Sequence, residues 1–248
     1  MRFGAIATIA LLAATTGLHA AEQDETFTIP EPGSDAIKGD KLSRLVDRSD
    51  PKAINNVGLL YANGHGVKQD YDEAFKWWRR AAERGNAWAM NAIGDLYENG
   101  QGVPQSYELA LKWYQEAATE GDVLGMWNTG NLHEQGKGTD KNYAEAARWY
   151  LQAADRGSAL AMFSMGRMHG SGLGVATDPV DAMAWHTVAA LRFTDEDPDE
   201  RAENERLLQE AAGKLTSAQR DQANARAQEL DRKFARPTKG KPKGGDDA

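Results

Sequence analysis

Along the middle of the chain, apolar residues recur with the spacing of one helix face. In Ala89…Ile93-Gly94…Leu96-Tyr97 they fall at i, i+4, i+7 and i+8. The same spacing returns in Ala53…Val57-Gly58…Leu60-Tyr61 and Ala161…Met165-Gly166…Met168-His169. Nothing alternates with period two as a half-buried strand would, so the pattern predicts helices. Each of these helices runs into a G-x-G turn, and glycine at a helix end accepts the left-handed conformation that closes it. A second helix then opens near Tyr71, Tyr107, Tyr143 or Pro179. It carries Ala74, Trp77 and Ala81-Ala82 at three- and four-residue spacings, and Gly85, Gly121 or Gly157 ends it. Pro179 suits a first helical turn, where its missing N–H is not needed.

The two-helix unit repeats with a fixed period. Gly58, Gly94, Gly130 and Gly166 are 36 residues apart, as are Trp77, Trp113, Trp149 and Trp185 and the G-x-G pairs at 64/66, 100/102, 136/138 and 172/174. Such a period predicts stacked units, none of which buries its apolar face alone. The mid-helix glycine costs about 1 kcal/mol against alanine. Its recurrence implies a partner helix too close for a Cβ. The fold class expected is all-α: an α/α solenoid of four 36-residue helix–turn–helix repeats with capping helices at both ends.

The flanks read differently. Residues 1–20 have Arg2, an uncharged apolar run from Phe3 to Ala14, and small Ala20 before a cut, the pattern of a signal peptide. An uncleaved N-terminal anchor is the competing reading, although the run is short for a membrane span. Residues 21–36 are acidic and proline-bearing, a flexible leader. Ile37, Leu42, Leu45 and Val46 have helical spacing and predict a solitary capping helix, which opens a solenoid region of 37–193. The period breaks at Phe193, where glycine would be due. In 194–235 two further helices are expected, near 199–213 and 217–234, the second capped by Thr216 or Ser217. Leu207, Leu208, Leu215, Ala223, Ala227 and Leu230 would let them cover the end of the core. Residues 236–248 are low-complexity and predicted to be disordered.

Composition narrows the classes of function. The net charge of −8 argues against a nucleic-acid footprint. There is no cysteine, which excludes disulfides, thiolate metal sites, a cysteine nucleophile and a lipoprotein's lipidated cysteine. An exported, disulfide-free chain fits the bacterial periplasm. The basic tail residues Arg232 to Lys243 offer at most a weak contact with an anionic surface, countered by Asp246-Asp247.

With these residues in view, the chain resembles the Sel-one-like repeat (SLR) family, relatives of tetratricopeptide solenoids. The family pattern, A-x-x-x-L-G-x-x-Y-x-x-G-x-G-V followed by Y-x-x-A-x-x-W-Y-x-x-A-A-x-x-G, is almost complete at Ala89 to Gly121, and the resemblance covers roughly residues 40–193. It implies a right-handed α/α superhelix serving as a non-enzymatic adaptor or scaffold for proteins. It associates exported members with envelope signalling, polysaccharide assembly and host contact. Some cysteine-rich secreted members have been described as penicillin-binding or β-lactamase proteins, but the paired cysteines of that branch are missing here. A glycan-binding scaffold is a third reading.

Candidate chemistry is sparse. His133 and His169 occupy one position in successive first helices, with Glu134 adjacent to His133, but Tyr61 and Tyr97 fill the same slot and no further metal ligand is evident. His65 reads as a surface-loop residue, and His186 stands in a packed aromatic slot shared with Trp78, Tyr114 and Tyr150. No nucleophile elbow, phosphate loop or zinc-protease motif occurs. The paired glycines follow helices rather than strands, so turning explains them. No catalytic residue, metal or cofactor is expected. The second-helix tryptophans are read as core.

The resemblance places one face of the first helices in a concave groove. On this chain that face would carry Asn55 with Lys52 and Leu59, then Trp88, Asn91, Asp95 and Glu98. It would continue with Trp127, Asn131 and Glu134, and end with Phe163 and Arg167 beside Leu160. Aromatics flanked by amides and charges suit a protein or peptide partner in the cell envelope. The competing reading is that Trp127 and Phe163 fill gaps between units.

Overall fold

The computed structural model describes residues 50–194 and 197–234, and among them ten helices and no strand. The predicted signal peptide, leader, N-terminal capping helix and tail lie outside the described residues. By their contacts the described residues fall into two compact units, divided in sequence between Asn142 and Tyr143.

The first unit holds α1 (Pro51–Asn63), α2 (Tyr71–Ala82), α3 (Ala87–Asn99), α4 (Tyr107–Thr119) and α5 (Val123–Gln135). Each begins at a residue whose side chain takes up a free backbone N–H. Asp70 accepts from Glu73, Asn86 from Ala89, Ser106 from Leu109 and Asp122 from Gly125. The Asn86 amide also donates to the Pro51 carbonyl at 3.3 Å, which ties the start of α3 to that of α1 one repeat earlier.

The mid-helix glycines lie where the two helices of a repeat meet. A Cβ on Gly58 would overlap the indole of Trp78, and one on Gly94 would stand 2.5 Å from the Tyr114 ring. Both aromatics are buried and take their place in a core that includes Ile54, Val57, Trp77, Ile93 and Leu96. The Trp78 indole N–H donates to the Asn55 carbonyl at 3.2 Å, so its one polar atom is satisfied over the same contact.

The G-x-G turns perform two tasks. Gly136 ends α5 with φ 72°, and its N–H and that of Lys137 both donate to the Leu132 carbonyl. Gly138, with φ 70°, packs against the preceding repeat. A Cβ there would run into the Tyr107 carbonyl and stand 2.7 Å from the Glu108 nitrogen, at the start of α4. Gly102 makes the corresponding approach to Tyr71. The loop then closes back on its own helix through Asn142 N–H to the His133 carbonyl at 2.9 Å.

The second unit holds α6 (Tyr143–Ala154), α7 (Ala159–Ser171), α8 (Pro179–Ala190), α9 (Pro198–Gly213) and α10 (Ser217–Lys233). Pro179 sits in the first turn of α8, behind the Asp178 cap, which accepts from both Val180 and Asp181. Thr216 caps α10 in a reciprocal box with Gln219. Helices α9 and α10 both pack on α8. Ala223, Ala227 and Leu230 of α10 and Leu215 before it are buried, while Leu207 and Leu208 are half-buried. Phe193, at the break of the period, is buried edge-on to Phe163 with ring centroids 6.4 Å apart.

His186 lies over Gly166, whose added Cβ would be 2.8 Å from the ring. Its Nδ1 is 2.8 Å from Asn204 Oδ1, and the Asn204 amide donates to the His186 carbonyl at 2.9 Å. Because the amide nitrogen is directed at the carbonyl, Oδ1 faces the imidazole and Nδ1 must carry the hydrogen. Burial holds the imidazole below its ordinary pKa, and the Asn204 hydrogen bond opposes that shift.

The reading of the second-helix tryptophans as core needs one correction. Trp77 and Trp185 are buried, but Trp113 and Trp149 are half-buried. The most deeply buried aromatic of those helices occupies the next position, as Tyr114 and Tyr150 show. At Trp78, Tyr114 and His186 that position faces the mid-helix glycine of its repeat, whereas the preceding residue is buried at Trp77 and Trp185 and half-buried at Trp113 and Trp149.

Candidate interaction site

The residues expected on the first-helix face divide between the two units. In the first, Trp88 stands at the start of α3 and remains 38% exposed. Its ring is held edge-on to the buried Trp78, with centroids 5.8 Å apart. An exposed indole fixed on a buried one keeps apolar surface available at little entropic cost.

Further along α3, Asp95 and Glu98 converge on Tyr114 of α4. The Tyr114 oxygen is 2.7 Å from Asp95 Oδ1 and 2.8 Å from Glu98 Oε2. Burial is the main cause that raises Asp95 to about 7, with the charges of Glu98 and Asp122 adding to it and the Tyr114 hydrogen bond working against it. The same burial and the two carboxylates push the Tyr114 hydroxyl well above the ordinary phenol range. No lysine or arginine pairs with Asp95 or Glu98 among the described residues.

Asn91 departs from expectation. It is 2% exposed and does not offer its amide to a groove. Its Oδ1 accepts from Asn128 Nδ2 of α5 at 2.9 Å, and its own amide reaches toward Asp95 Oδ2 at 3.5 Å. The residue is a buried link between α3 and α5, where a polar side chain is tolerated because it is bonded.

The other candidates are separate. Asn55 is half-buried on α1, with an Oδ1 that is buried and lacks a hydrogen-bond partner. Trp127, Asn131 and Glu134 are half-buried on α5, and Asn131 accepts from Gln135 at 2.8 Å. In the second unit Phe163 packs against His186 at 5.8 Å and against Phe193, with the Arg167 guanidinium 5.8 Å from its ring centre. Phe163 is half-buried in this packing.

Sequence reasoning missed Tyr114 and Asn128 as members of the site. A signal existed: Asp95 and Glu98 replace Leu59 and Ala62 of the first repeat, opposite a tyrosine where that repeat has Trp78. Among the described residues no group of three or more histidine or acidic side chains is arranged to hold a metal ion. Nor is any helix among them long and apolar enough to cross a membrane.

Paired helices of fixed period, joined by left-handed glycines, define an α-helical repeat protein. The Sel1 repeat model matches residues 51–86, 89–122, 123–158 and 159–192, and the chain belongs to the Sel1-repeat family. Proteins of this family are generally non-enzymatic scaffolds for protein interaction. Among solved structures, a Sel1 repeat protein from Oxalobacter formigenes is 31% identical, with a TM-score of 0.61 over 76% of this chain and 71% of that one. The protective antigen c5321 of uropathogenic Escherichia coli, described as having an SLR fold, is 24% identical, with a TM-score of 0.43 over 75% of this chain and 54% of that one. Cysteine-rich protein B of Helicobacter pylori is 24% identical, with a TM-score of 0.41 over 49% of this chain and 92% of that one. The comparison with curated proteins returns no match.

Proposed function

We propose that this protein is an exported, periplasmic adaptor that binds a protein or peptide on the α3 face of its first unit. The observation that carries the reading is Trp88, a large aromatic left 38% exposed on a rigid base, on the same helix as two carboxyl groups without a basic partner. Tryptophans anchored in this way are enriched among the residues that dominate interface energy. Asp95 lies seven residues on, two helical turns along the same face. Export rests on the apolar N-terminal run, and the absence of cysteine is compatible with that compartment.

The test begins with crosslinking capture from intact periplasm, followed by titration of the recovered partner against the wild-type chain and Trp88→Ala. Loss of a central tryptophan contact of about 2 kcal/mol weakens binding about thirtyfold. Because Trp88 is exposed, the variant should fold normally, which circular dichroism checks. Asn91→Ala is unsuitable for this purpose, since it would break a buried link. Unchanged partner affinity in Trp88→Ala would rule out the α3 face. Binding of glycan with no protein captured would favour a polysaccharide-machinery scaffold instead.

A further inference from the structure

The oxygens of Asp95, Tyr114 and Glu98 make two short contacts around a hydroxyl that has one hydrogen to give. The phenol can satisfy one carboxylate. A second carboxylate at 2.8 Å or less would meet a lone pair, unless it brought a proton of its own. If Asp95 is protonated, its O–H donates to the Tyr114 oxygen and the Tyr114 O–H donates to Glu98. All three groups are then satisfied and the set carries a single negative charge.

The surroundings show which acid keeps the proton. Both acids are half-buried, but Asp95 has its two carboxyl oxygens directed at Tyr114 and at the buried Asn91 amide, whereas Glu98 lies nearer the helix end. The titratable groups bearing on Asp95 are Glu98 on its own helix, Tyr114 on α4 and Asp122 at the N-cap of α5. Asn128 of α5 reaches it only through neutral Asn91, and α2 brings no charged group to bear. Every charge in reach is negative. A proton is therefore the cation that this arrangement can hold most compactly.

We propose that Asp95, Tyr114 and Glu98 hold one shared proton, and that its release loosens the tie between α3 and α4 and adds a negative charge to the α3 face. This does not depend on what binds there. The sign follows from the raised pKa of Asp95, which lies above that of an unfolded aspartate. Between the two values the folded chain binds the extra proton, so its contribution to stability is complete below about pH 4 and is lost as pH rises to about 7. One linked proton changes the folding constant by at most about tenfold per pH unit in that window.

Thermal and urea unfolding of the whole chain from pH 4 to 8 tests this in the wild type, Asp95→Asn and Glu120→Gln. Asparagine can donate an N–H to the phenol without titrating, so Asp95→Asn should flatten the decline in stability with pH. Glu120→Gln, a change at an exposed acid, reports the general effect of removing one negative charge and should keep the wild-type slope. Asp95→Asn that keeps the full slope overturns the proposal. Independently of whether that variant folds, the ¹³C shift of the Asp95 carboxyl in the unmodified chain should titrate near neutrality. A midpoint near 4 overturns the proposal.

Discussion

Gly138→Ala should destabilise the protein far more than Gly121→Ala, although both replace a glycine of positive φ. The backbone cost is shared, since φ is 70° at Gly138 and 92° at Gly121. Placing a side chain in the left-handed region costs about 1–2 kcal/mol. At Gly121 that is the whole effect, because nothing lies within 4 Å of the added Cβ. At Gly138 the new carbon overlaps the Tyr107 carbonyl and lies 2.7 Å from the Glu108 nitrogen. These are backbone atoms in the first turn of α4, and they cannot swing aside as a side chain would. Relief requires separating the turn from the preceding repeat, at about 1–3 kcal/mol for an overpacked site. The expected total is about 2–5 kcal/mol, a large share of the roughly 5–15 kcal/mol by which domains are stable. Urea unfolding midpoints measure the difference. Equal midpoints for the two variants would show that the turn does not bear on the preceding helix.

Asn204→Leu should cost about 1–3 kcal/mol, since it leaves the buried His186 Nδ1–H without its acceptor, while the His186 carbonyl keeps its helical partner. Leucine has the branching and heavy-atom count of asparagine with bulkier ends, so the shape of the side chain is largely kept. What is lost is the acceptor for His186 Nδ1–H and the donor to the His186 carbonyl. Both lie in the joint where α9 meets α8, with Phe163 and Phe193 close by. The pH dependence has the opposite sign to that of Asp95. The folded imidazole has a lowered pKa, so the unfolded chain takes up a proton first as the medium is acidified. The contribution of neutral His186 is complete above about pH 6.5 and is lost as pH falls through the folded value. Asn204→Asp would place a carboxylate against the ring, raise the imidazole pKa and reduce that acid loss. Thermal melts at pH 5 and pH 8 on the two variants check both statements. A melting temperature for Asn204→Leu equal to wild type at pH 8 would refute the bracket.

The helices and their joints were legible because each is specified locally and several times over. A cap residue, an apolar face and a terminating glycine agree in repeat after repeat, as at Ser106, Ala110 and Gly121. The close approach at Gly94 was legible for the same reason. The site was much less so. Asn91 and Trp127 occupy the same position of successive repeats, and a position that varies and takes polar residues reads as surface. Whether it is surface depends on Asn128 and Tyr114, which come from other helices and whose reach no periodicity encodes. Asn204 was hidden for a related reason: α9 is a charged helix whose buried residue is an amide, so an apolar pattern points away from it.

The direction of the glycine contacts bears on how the chain is made. Gly102 rests on Tyr71, and Gly138 on Tyr107, so in the first unit each turn docks onto backbone that precedes it in sequence. Gly174 does the same to Tyr143 in the second. A chain synthesised from its N-terminus therefore presents each new turn to a surface already complete, and no repeat waits for a later one to define the seat of its own turn. Growth by successive docking suits vectorial folding, in which N-terminal segments emerge and order first.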